Sequence, residues 1–314
     1  MKRTVIRRDD MLGATLNLGG TPITLDEYAT TGLLAVAIGP RGNGKTNAGL
    51  LMAEQLSDQG WVSVLIDPEN ELESLYGDAI PDPDSLRDAL TRRDQPTLVV
   101  NARDAGEFVP FGRAILDAAD LQRKPIFVVI DEGQLFSASR RRSNGIGEAA
   151  DIINEFAERG RKRALDLFIT ALRYTGTLQR TLFANKNLTL IGWQEDPTAW
   201  SALAPQFKAS KIDFADLNAL TPGEFFCLSR HGVEKVRMPM AAALKAVAPK
   251  AKPVAKTLPA TFNQWTRAMT AIPTGRLAAL SEDVVGLLST VAELSPQQVL
   301  AGQTALQDEL EART

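Results

Sequence analysis

Residues 39–46 read Gly39-Pro40-Arg41-Gly42-Asn43-Gly44-Lys45-Thr46, which matches the phosphate-loop pattern G-x-x-x-x-G-K-[ST] at every fixed position. In this pattern the glycines let backbone N–H groups turn toward the phosphates, and the N-terminus of the next helix adds a positive dipole. Lys45 is predicted to reach the β- and γ-phosphates, and the Thr46 hydroxyl is predicted to bind Mg²⁺. A chance glycine-rich turn is the alternative. However, the apolar run 33–38 before the loop predicts a strand and the spacing over 46–59 predicts a helix, so the sequence predicts a site for ATP and Mg²⁺.

The most apolar strand predicted in the chain, Pro125–Ile130, is followed directly by Asp131 and Glu132. Ligands of open α/β sheets gather at the carboxyl ends of strands, so Asp131 is predicted to hold Mg²⁺ there. Glu132 is predicted to polarise the attacking water as a general base, which favours hydrolysis over transfer to a bound acceptor. A strand that ends in a solvated acidic turn is the alternative. Asp67, which follows the predicted strand 61–66, is expected either near the metal or as a cap of the turn 67–70.

Strands alternate with helices along residues 33–240, which predicts an α/β fold with a mostly parallel central sheet covered on both faces. Residues 1–32 are predicted to form a short N-terminal β segment, with a hairpin around Gly19 and Gly20. Residues 241–260 are rich in Ala, Lys and Pro and are predicted to be a linker. Residues 261–314 are predicted to form a small helical C-terminal segment.

The composition excludes several classes of protein and site. The 314 residues carry a net charge of −3, with a single cysteine, Cys227, and a single histidine, His231. An intrachain disulfide and a Cys/His zinc site are therefore both excluded. No apolar run approaches the roughly 20 residues that cross a bilayer, and no secretory signal is evident at the start of the sequence. We therefore expect a cytoplasmic protein without direct membrane insertion.

Five motifs, in the order in which they occur, resemble those of the HerA/FtsK superfamily of DNA-pumping ATPases, and the HerA branch most. The phosphate loop continues into Asn47, as it does in that branch, which places Asn47 in the predicted nucleotide site. The resemblance spans residues 33–239. The other motifs are Val64–Glu71, similar to the family's DPHGEY segment; Val128–Phe136, similar to its DEAH stretch; Arg159–Ala171, similar to GRKYG…ATQ; and Pro222–Phe226, similar to its PGE turn.

The resemblance implies a RecA-like fold and a homo-oligomer, usually a hexameric ring, with ATP between neighbouring subunits and DNA in the pore. Arg161 matches the family's arginine finger, which reaches the γ-phosphate of the next subunit. A solvated cation at a helix end is the alternative for Arg161. Leu172 stands where the family has a glutamine that senses the γ-phosphate. Either Arg173 substitutes for that glutamine, or the coupling of hydrolysis to motion is altered.

The N-terminal barrel of HerA proteins is reduced here to the short segment 1–32. The chain therefore resembles a minimal motor, of the kind that acts in viral genome packaging or in partner-dependent assemblies. Such a motor would be virion-associated rather than cytoplasmic if it packages a genome. The resemblance makes a nuclease or a portal a candidate partner.

Contact with DNA must come from local basic clusters, because the chain as a whole is not basic. Arg140, Arg141 and Arg142 form such a cluster and are predicted to contact phosphates, with a solvated loop as the alternative. Aromatic residues make up 6% of the chain, which offers no stacking platform for single strands. Double-stranded DNA, held by its backbone, is therefore the predicted substrate of the motor.

Three functions remain open from the sequence. The first is an ATP-hydrolysing ring motor that translocates double-stranded DNA. The second is an ATP-dependent assembly or regulatory switch, which Leu172 and the acidic net charge favour. The third is a motor on another polymer, such as a secretion ATPase. The response of the ATPase rate to duplex DNA distinguishes the first of these from the second.

Overall fold

The computed structural model describes residues 13–122, 124–137, 145–174, 178 and 180–247, and all of them belong to one compact unit. The predicted helical segment 261–314 lies outside the described residues, and so does most of the predicted linker. Arg140, Arg141 and Arg142 also lie outside them. The backbone of residues 159–163 is described, but their side chains are not.

A mixed sheet forms the centre of the described unit, and its strand order is β10-β9-β8-β3-β7-β6-β4-β5. The six strands from β8 to β5 in that order pair in parallel, whereas β9 pairs antiparallel with both β8 and β10. A separate hairpin joins β1 (Thr15–Leu16) and β2 (Ile23–Thr24). The sheet strands are β3 (Leu34–Ile38), β4 (Val62–Asp67), β5 (Thr97–Asn101), β6 (Ile126–Ile130), β7 (Leu165–Ala171), β8 (Leu188–Ile191), β9 (Glu224–Ser229) and β10 (Gly232–Arg237).

Helices connect the parallel strands and cover both faces of the sheet. A 3-10 helix, Leu25–Tyr28, follows the N-terminal hairpin. The described α-helices are α1 (Lys45–Asp58), α2 (Glu73–Tyr76), α3 (Pro83–Arg92), α4 (Ala105–Gln122), α5 (Gln134–Ser137), α6 (Ile146–Arg163), α7 (Arg180–Asn185), α8 (Pro197–Phe207), α9 (Phe214–Asn218) and α10 (Ala242–Val247). The predicted α/β class with a mostly parallel sheet is confirmed. Among the described residues, no helix combines the length and hydropathy needed to cross a bilayer.

Two apolar cores lie on opposite faces of the sheet, because successive side chains of a strand point to opposite sides. In β3, Val36 packs into the core that contains α3, α4 and α6, whereas Ala37 packs into the core that contains α1 and the N-terminal hairpin. Helix α1 lies close to the sheet at Gly49, where an added Cβ atom would lie 2.8 Å from the Phe168 ring. This close packing fixes the position of α1 and of the loop that precedes it.

Local capping determines where two helices begin. Helix α4 begins at Ala105, because Asp104 accepts the N–H of Glu107 through its side chain and that of Phe108 through its carbonyl. Helix α10, Ala242–Val247, occupies the first residues of the predicted linker. The carboxylate of Glu54 accepts the backbone N–H groups of Ala242 and Ala243 at 2.5 and 2.9 Å, which caps this helix.

Candidate nucleotide-binding and hydrolysis site

The predicted phosphate loop connects the end of β3 to the first residue of α1, as the motif requires. Gly42 and Gly44 adopt positive φ angles of +74° and +94°, which residues with a side chain rarely reach. The Lys45 ammonium donates a hydrogen bond to the Pro40 carbonyl oxygen at 2.9 Å. The loop therefore folds back over its own lysine, and Lys45 lies at the centre of the concave side.

Asn43 fixes the loop to the neighbouring strands. Its carbonyl oxygen accepts the N–H of Gly223 at 3.0 Å, which joins the loop to the turn before β9. Its side chain is fully buried between Gly39 and Gly192, and a Cβ atom on either glycine would collide with it. Within the described residues, neither amide atom of Asn43 has a hydrogen-bond partner. Buried polar atoms without a partner are rare, and Asn43 is also one of the residues that line the cavity described below.

The carboxylate pair after β6 lies opposite the phosphate loop. β7 lies between β3 and β6 in the sheet, so the carboxyl ends of all three strands meet at one edge. The Thr46 hydroxyl donates to Asp131 Oδ2 at 2.7 Å, and the Thr170 hydroxyl donates to Asp131 Oδ1 at 2.6 Å. Both residues predicted to hold Mg²⁺ are thus in direct contact.

Glu132 has a backbone conformation that is uncommon for a residue with a side chain, with a φ angle of +48°. Its N–H donates to the Thr170 hydroxyl at 2.9 Å, and Gln134 Nε2 donates to Glu132 Oε2. The carboxylate of the predicted general base is therefore held by the side chain two residues further along the chain. This places Glu132 beside Asp131 at the rim of the cavity.

A cavity of about 550 Å³ contains these groups. Burial lowers the pKa of Lys45, and the negative charges of Glu132 and Asp131 oppose that shift. The ammonium thus lies in a partly desolvated position facing two carboxylates, where electrostatic interactions are stronger than in water. The residues that line the cavity are Arg41, Gly42, Asn43, Gly44, Lys45, Thr46, Glu69, Glu71, Asp131 and Glu132.

The donor set fits Mg²⁺, which prefers hard oxygen ligands and is bound in nucleotide sites by one or two protein groups plus phosphate oxygens. The hydroxyl of Thr46 and the carboxylate of Asp131 supply such oxygens, and they lie side by side at the cavity wall. Among the described residues, no group of three or more His, Cys, Asp or Glu side chains forms a metal cage. A site that depends on phosphate oxygens needs no such cage.

Two polar residues that the sequence suggested for the site hydrogen-bond to backbone groups, and for Asp67 this is one of its two expected positions. The Asn47 side chain does not face the cavity: Nδ2 donates to the Pro239 carbonyl at 3.0 Å and Oδ1 accepts the N–H of Ala241 at 2.8 Å. Asn47 was predicted to bind the nucleotide, and its side chain instead holds the chain before α10. Asp67 is a turn cap, since its carboxylate accepts the N–H groups of Glu69 and Leu72 at 3.0 and 2.7 Å.

The predicted sensor position lies at a second cavity on the other side of Pro40. Leu172 and Arg173 line this space of about 310 Å³, together with Trp193. The hydrogen bonds from Thr198 lower the pKa of Asp196, and the charge of Arg173 adds to the shift. Arg173 therefore lies close enough to this carboxylate, at the N-terminus of α8, for their charges to interact. Arg161 lies near the C-terminal end of α6, and its role as a finger in a neighbouring subunit stays a prediction.

Sequence reasoning missed the two side chains that hold the carboxylate pair, Thr170 and Gln134. Gln134 is part of the motif after β6, but nothing in the pattern shows which way its amide points. Glu69 and Glu71 also line the cavity without having been assigned a role. A signal for them was present: β4 pairs with β6, so the residues that follow β4 must lie near Asp131.

The chain matches no protein-family model and no curated protein. Among solved structures it is similar to the genome packaging NTPase B204 from Sulfolobus turreted icosahedral virus 2 in complex with AMPPCP. The TM-score is 0.52 at 14% identity, over 67% of this chain and 99% of that one. A second is the pCW3 conjugation coupling protein TcpA with ATPγS, with a TM-score of 0.53 at 13% identity, over 78% of this chain and 70% of that one.

The chain has the P-loop NTPase fold. Both neighbours are FtsK/HerA-type P-loop ATPases, so the resemblance predicted from the sequence is confirmed in the fold. At these identities the comparison carries the fold only, and the chemistry of the site rests on the geometry described above.

Proposed function

We propose that this chain is an ATPase that hydrolyses ATP with water and acts as one subunit of a ring-shaped motor on double-stranded DNA. The observation that carries the ATPase proposal is the convergence of Lys45, Thr46, Asp131 and Glu132 on one cavity. The segments that follow two strands far apart in sequence, β3 and β6, supply these groups, and each group has the chemistry that phosphoryl transfer to water requires.

In the proposed reaction, Lys45 and the N–H groups of residues 42–46 bind the phosphates. To do so, the ammonium must exchange its hydrogen bond to the Pro40 carbonyl for bonds to phosphate oxygens. This exchange is favourable because the partly buried ammonium is poorly solvated and attracts a negative charge strongly. Thr46 and Asp131 would hold Mg²⁺, which when bound neutralises the charge that develops on the phosphates. Glu132, oriented by Gln134, accepts a proton from the attacking water.

The DNA motor is supported by the fold and by the order of five motifs along the chain. Neighbours at this fold level include a genome packaging NTPase and a conjugation coupling protein, whose names describe work on DNA. We propose membership of the HerA/FtsK superfamily, assembly into a hexameric ring, and Arg161 as the residue that completes the site of the next subunit. Arg140, Arg141 and Arg142 are the proposed DNA contacts, and cytoplasmic or virion-associated localisation follows from that role.

An ATP-dependent assembly switch is the second candidate, and one observation favours it. Leu172 occupies the predicted sensor position, and in the structure it lines the cavity beyond Pro40, beside Arg173. An apolar side chain cannot report the presence of a γ-phosphate by hydrogen bonding. A protein of this kind would hydrolyse ATP at a rate that does not respond to DNA.

The test is the ATPase rate of the full chain with and without duplex DNA, at low and high salt. We expect DNA to raise the rate and salt to remove that gain, because phosphate contacts release counterions. Glu132→Gln keeps the size of the side chain but removes the base, and should lower turnover by about 10²- to 10⁴-fold. The control is Glu107→Gln, which alters an exposed carboxylate paired with Arg103 far from the cavity.

The outcomes separate the candidates. Turnover that depends on Glu132 and rises with DNA supports the motor, and Arg161→Ala then tests the ring by mixing variant with wild-type subunits. Turnover that depends on Glu132 but ignores DNA at every salt concentration favours the switch. An ATPase rate that Glu132→Gln leaves unchanged would overturn the proposed site.

A further inference from the structure

Thr170 makes two hydrogen bonds to the carboxylate pair of the site, although the motif that contains it, Arg159–Ala171, assigned it no role. It is the penultimate residue of β7 and is fully buried. Its hydroxyl donates to Asp131 Oδ1 at 2.6 Å and accepts the N–H of Glu132 at 2.9 Å. A hydroxyl can donate one hydrogen bond and accept others, so both bonds are made at the same time.

The bond to Asp131 determines which carboxylate oxygen is free for the metal. With Oδ1 bound by Thr170, Oδ2 is directed toward Thr46, whose hydroxyl lies 2.7 Å away. The terminal torsion of an aspartate is broad, and the Thr170 hydroxyl restrains it together with the N–H of Glu132, which also donates to Oδ1 at 3.1 Å. Thr170 therefore fixes the ligand oxygen without itself reaching the nucleotide cavity.

The bond to Glu132 fixes the backbone of the proposed general base. The φ angle of +48° costs free energy for a residue with a Cβ atom, and such conformations persist only when neighbouring groups hold them. The Thr170 hydroxyl accepts the N–H of Glu132, and the next N–H, of Gly133, donates to the Thr170 carbonyl at 3.0 Å. Both contacts come from one residue of β7 and together set the direction in which the Glu132 side chain leaves the chain.

The position of Thr170 in β7 relates it to the missing sensor. Leu172 directly follows the last residue of β7 and lies two residues after Thr170. The polar group that the sequence resemblance expected at residue 172 is absent there. The hydroxyl two residues earlier, on Thr170, contacts the carboxylates instead.

We propose that Thr170 is a positioning residue for ATP hydrolysis, which acts by orienting Asp131 and Glu132. This inference rests on the proposed function of the site as an ATPase. By orienting Asp131, Thr170 would determine the Mg²⁺ concentration that nucleotide binding requires. By orienting Glu132, it would determine the rate at which bound ATP is hydrolysed. It would have little influence on nucleotide binding without Mg²⁺, which depends on Lys45 and the loop.

The experiment compares Thr170→Val, which removes the hydroxyl and keeps the volume, with Thr170→Ser, which keeps the hydroxyl. Binding of a fluorescent ATP analogue is measured with and without Mg²⁺, and kcat and KM for ATP are measured separately. Thr170→Val should lower kcat and raise the half-saturating Mg²⁺ concentration by about 10- to 100-fold, the usual cost of losing such a supporting contact. Thr170→Ser should restore most of both, and Mg²⁺-free binding should remain unchanged.

Thr189→Val is the matched control, because Thr189 is also a buried threonine of the central sheet. It lies in β8, which pairs with β3 on the side opposite to β7. If Thr189→Val changes kcat and Mg²⁺ dependence as much as Thr170→Val does, the effect belongs to sheet stability and the proposal is overturned. A full kcat in Thr170→Val overturns it as well. Should Thr170→Val fail to fold, Thr170→Ser and Thr170→Ala make the same comparison of a hydroxyl against none.

Failure of the proposed function gives a different result. If wild-type protein binds the analogue but does not hydrolyse ATP, the ATPase proposal fails, while the effect of Thr170→Val on Mg²⁺-dependent binding still reports on Asp131. An unchanged Mg²⁺ dependence in Thr170→Val, in a wild type that does hydrolyse ATP, contradicts the positioning role alone.

Discussion

Helix α1 directs its first two residues into the nucleotide cavity and its next polar residues toward distant parts of the chain. Lys45 and Thr46 hydrogen-bond to Pro40 and Asp131 in the cavity. Asn47 instead holds the chain before α10 through Pro239 and Ala241. Consecutive residues of an α-helix point about 100° apart, so one residue in the sequence is enough to leave the site.

The comparison shows that a sequence motif can extend past the group of residues that share its chemistry. The first residues of α1, Lys45 and Thr46, contact the groups of the cavity. The flank of α1, which we define as Asn47, Glu54, Gln55 and Gln59, holds other segments of the chain in place. Glu54 caps α10, while Gln55 and Gln59 bond to the backbone around β1. If this division is correct, substitutions on the two sides must have separable effects on hydrolysis and on the free energy of unfolding.

Removal of the cavity-facing ammonium should have the largest effect. Lys45→Ala deletes a buried cation on which both carboxylates act, and should lower kcat/KM by at least about 100-fold, the cost of losing one fixed charge-stabilising donor. The free energy of unfolding, measured in urea, should change little, because the Lys45 side chain bonds only to the loop in the described residues. Steady-state ATPase assays and urea titrations measure the two quantities.

Lys186→Ala is the control for Lys45→Ala. Burial lowers the pKa of Lys186 as it does that of Lys45, but Lys186 follows α7 and contacts Gln206. Each variant therefore loses a cation whose pKa burial lowers, at a different place in the structure. Equal losses of activity would show that the result reflects general electrostatics, and would remove the special role of Lys45.

On the flank, the largest effect is expected for Glu54→Ala. Its carboxylate accepts the Tyr76 hydroxyl at 2.8 Å and the two first N–H groups of α10, so three donors lose their acceptor. The loss should be about 2–3 kcal/mol of unfolding free energy, the range for bonds to a charged group. Hydrogen exchange at Ala242 and Ala243 should accelerate, while kcat stays the same.

Glu54→Gln refines this prediction, because an amide oxygen still accepts hydrogen bonds but carries no charge. Its stability should lie between those of the wild type and Glu54→Ala. Burial and the hydrogen bond to Glu54 raise the pKa of Tyr76, so the Tyr76 hydroxyl remains a donor throughout the range of such experiments. A loss of ATPase rate in Glu54→Gln without loss of stability would contradict the division between the two sides of α1.

The sequence predicts those residues of the cavity whose position follows from the strand and helix pattern. It does not predict contacts that depend on the direction in which a side chain points. Lys45, Thr46, Asp131 and Glu132 lie at the ends of buried strands or the start of a helix, and parallel strands must bring those ends together. Asn47 and Asp67 have suitable chemistry in the right part of the sequence. Their hydrogen bonds to Pro239 and Leu72 depend on turns that no motif specifies.

The fold shows the same division. Strands β5, β8 and β9 are short apolar runs between turn residues, a pattern that defines buried strands in a sequence. Helix α4, in contrast, contains Pro110 and Gly112, which by their intrinsic propensities break helices. Tertiary packing overrides that preference: Gly112 is in close contact with Ile152 and Phe108, where a larger residue would not fit.

Adjacent substitutions at the start of α1 give the most direct comparison of the two sides. Thr46→Val should weaken Mg²⁺-dependent nucleotide binding, because it removes the hydroxyl beside Asp131, and should leave stability nearly unchanged. Asn47→Leu should do the reverse and cost about 1–2 kcal/mol, because the Pro239 carbonyl and the Ala241 N–H lose their partner. Analogue binding and urea unfolding on both variants test this. Weaker nucleotide binding in Asn47→Leu would restore Asn47 to the site.

The smallest effect is expected at the far end of α1, where Gln59 bonds to β1. Its amide accepts the N–H of Thr15 and donates to the Thr15 carbonyl, both at 2.8 Å, so it pairs with the strand as a neighbouring backbone would. These bonds are exposed to water, which replaces them at little cost, so Gln59→Ala should lower the free energy of unfolding by no more than about 1 kcal/mol.

Gln55→Ala removes the equivalent pair of hydrogen bonds to Asn17 and should lower the free energy of unfolding by the same amount. Because the hairpin also buries Leu16 and Ile23 against α1, we expect both variants to keep it folded, with faster hydrogen exchange at residues 15 and 17 alone. A change in ATPase rate in either variant would mean that the N-terminal segment takes part in hydrolysis through α1, and the separation of its two sides would be incomplete.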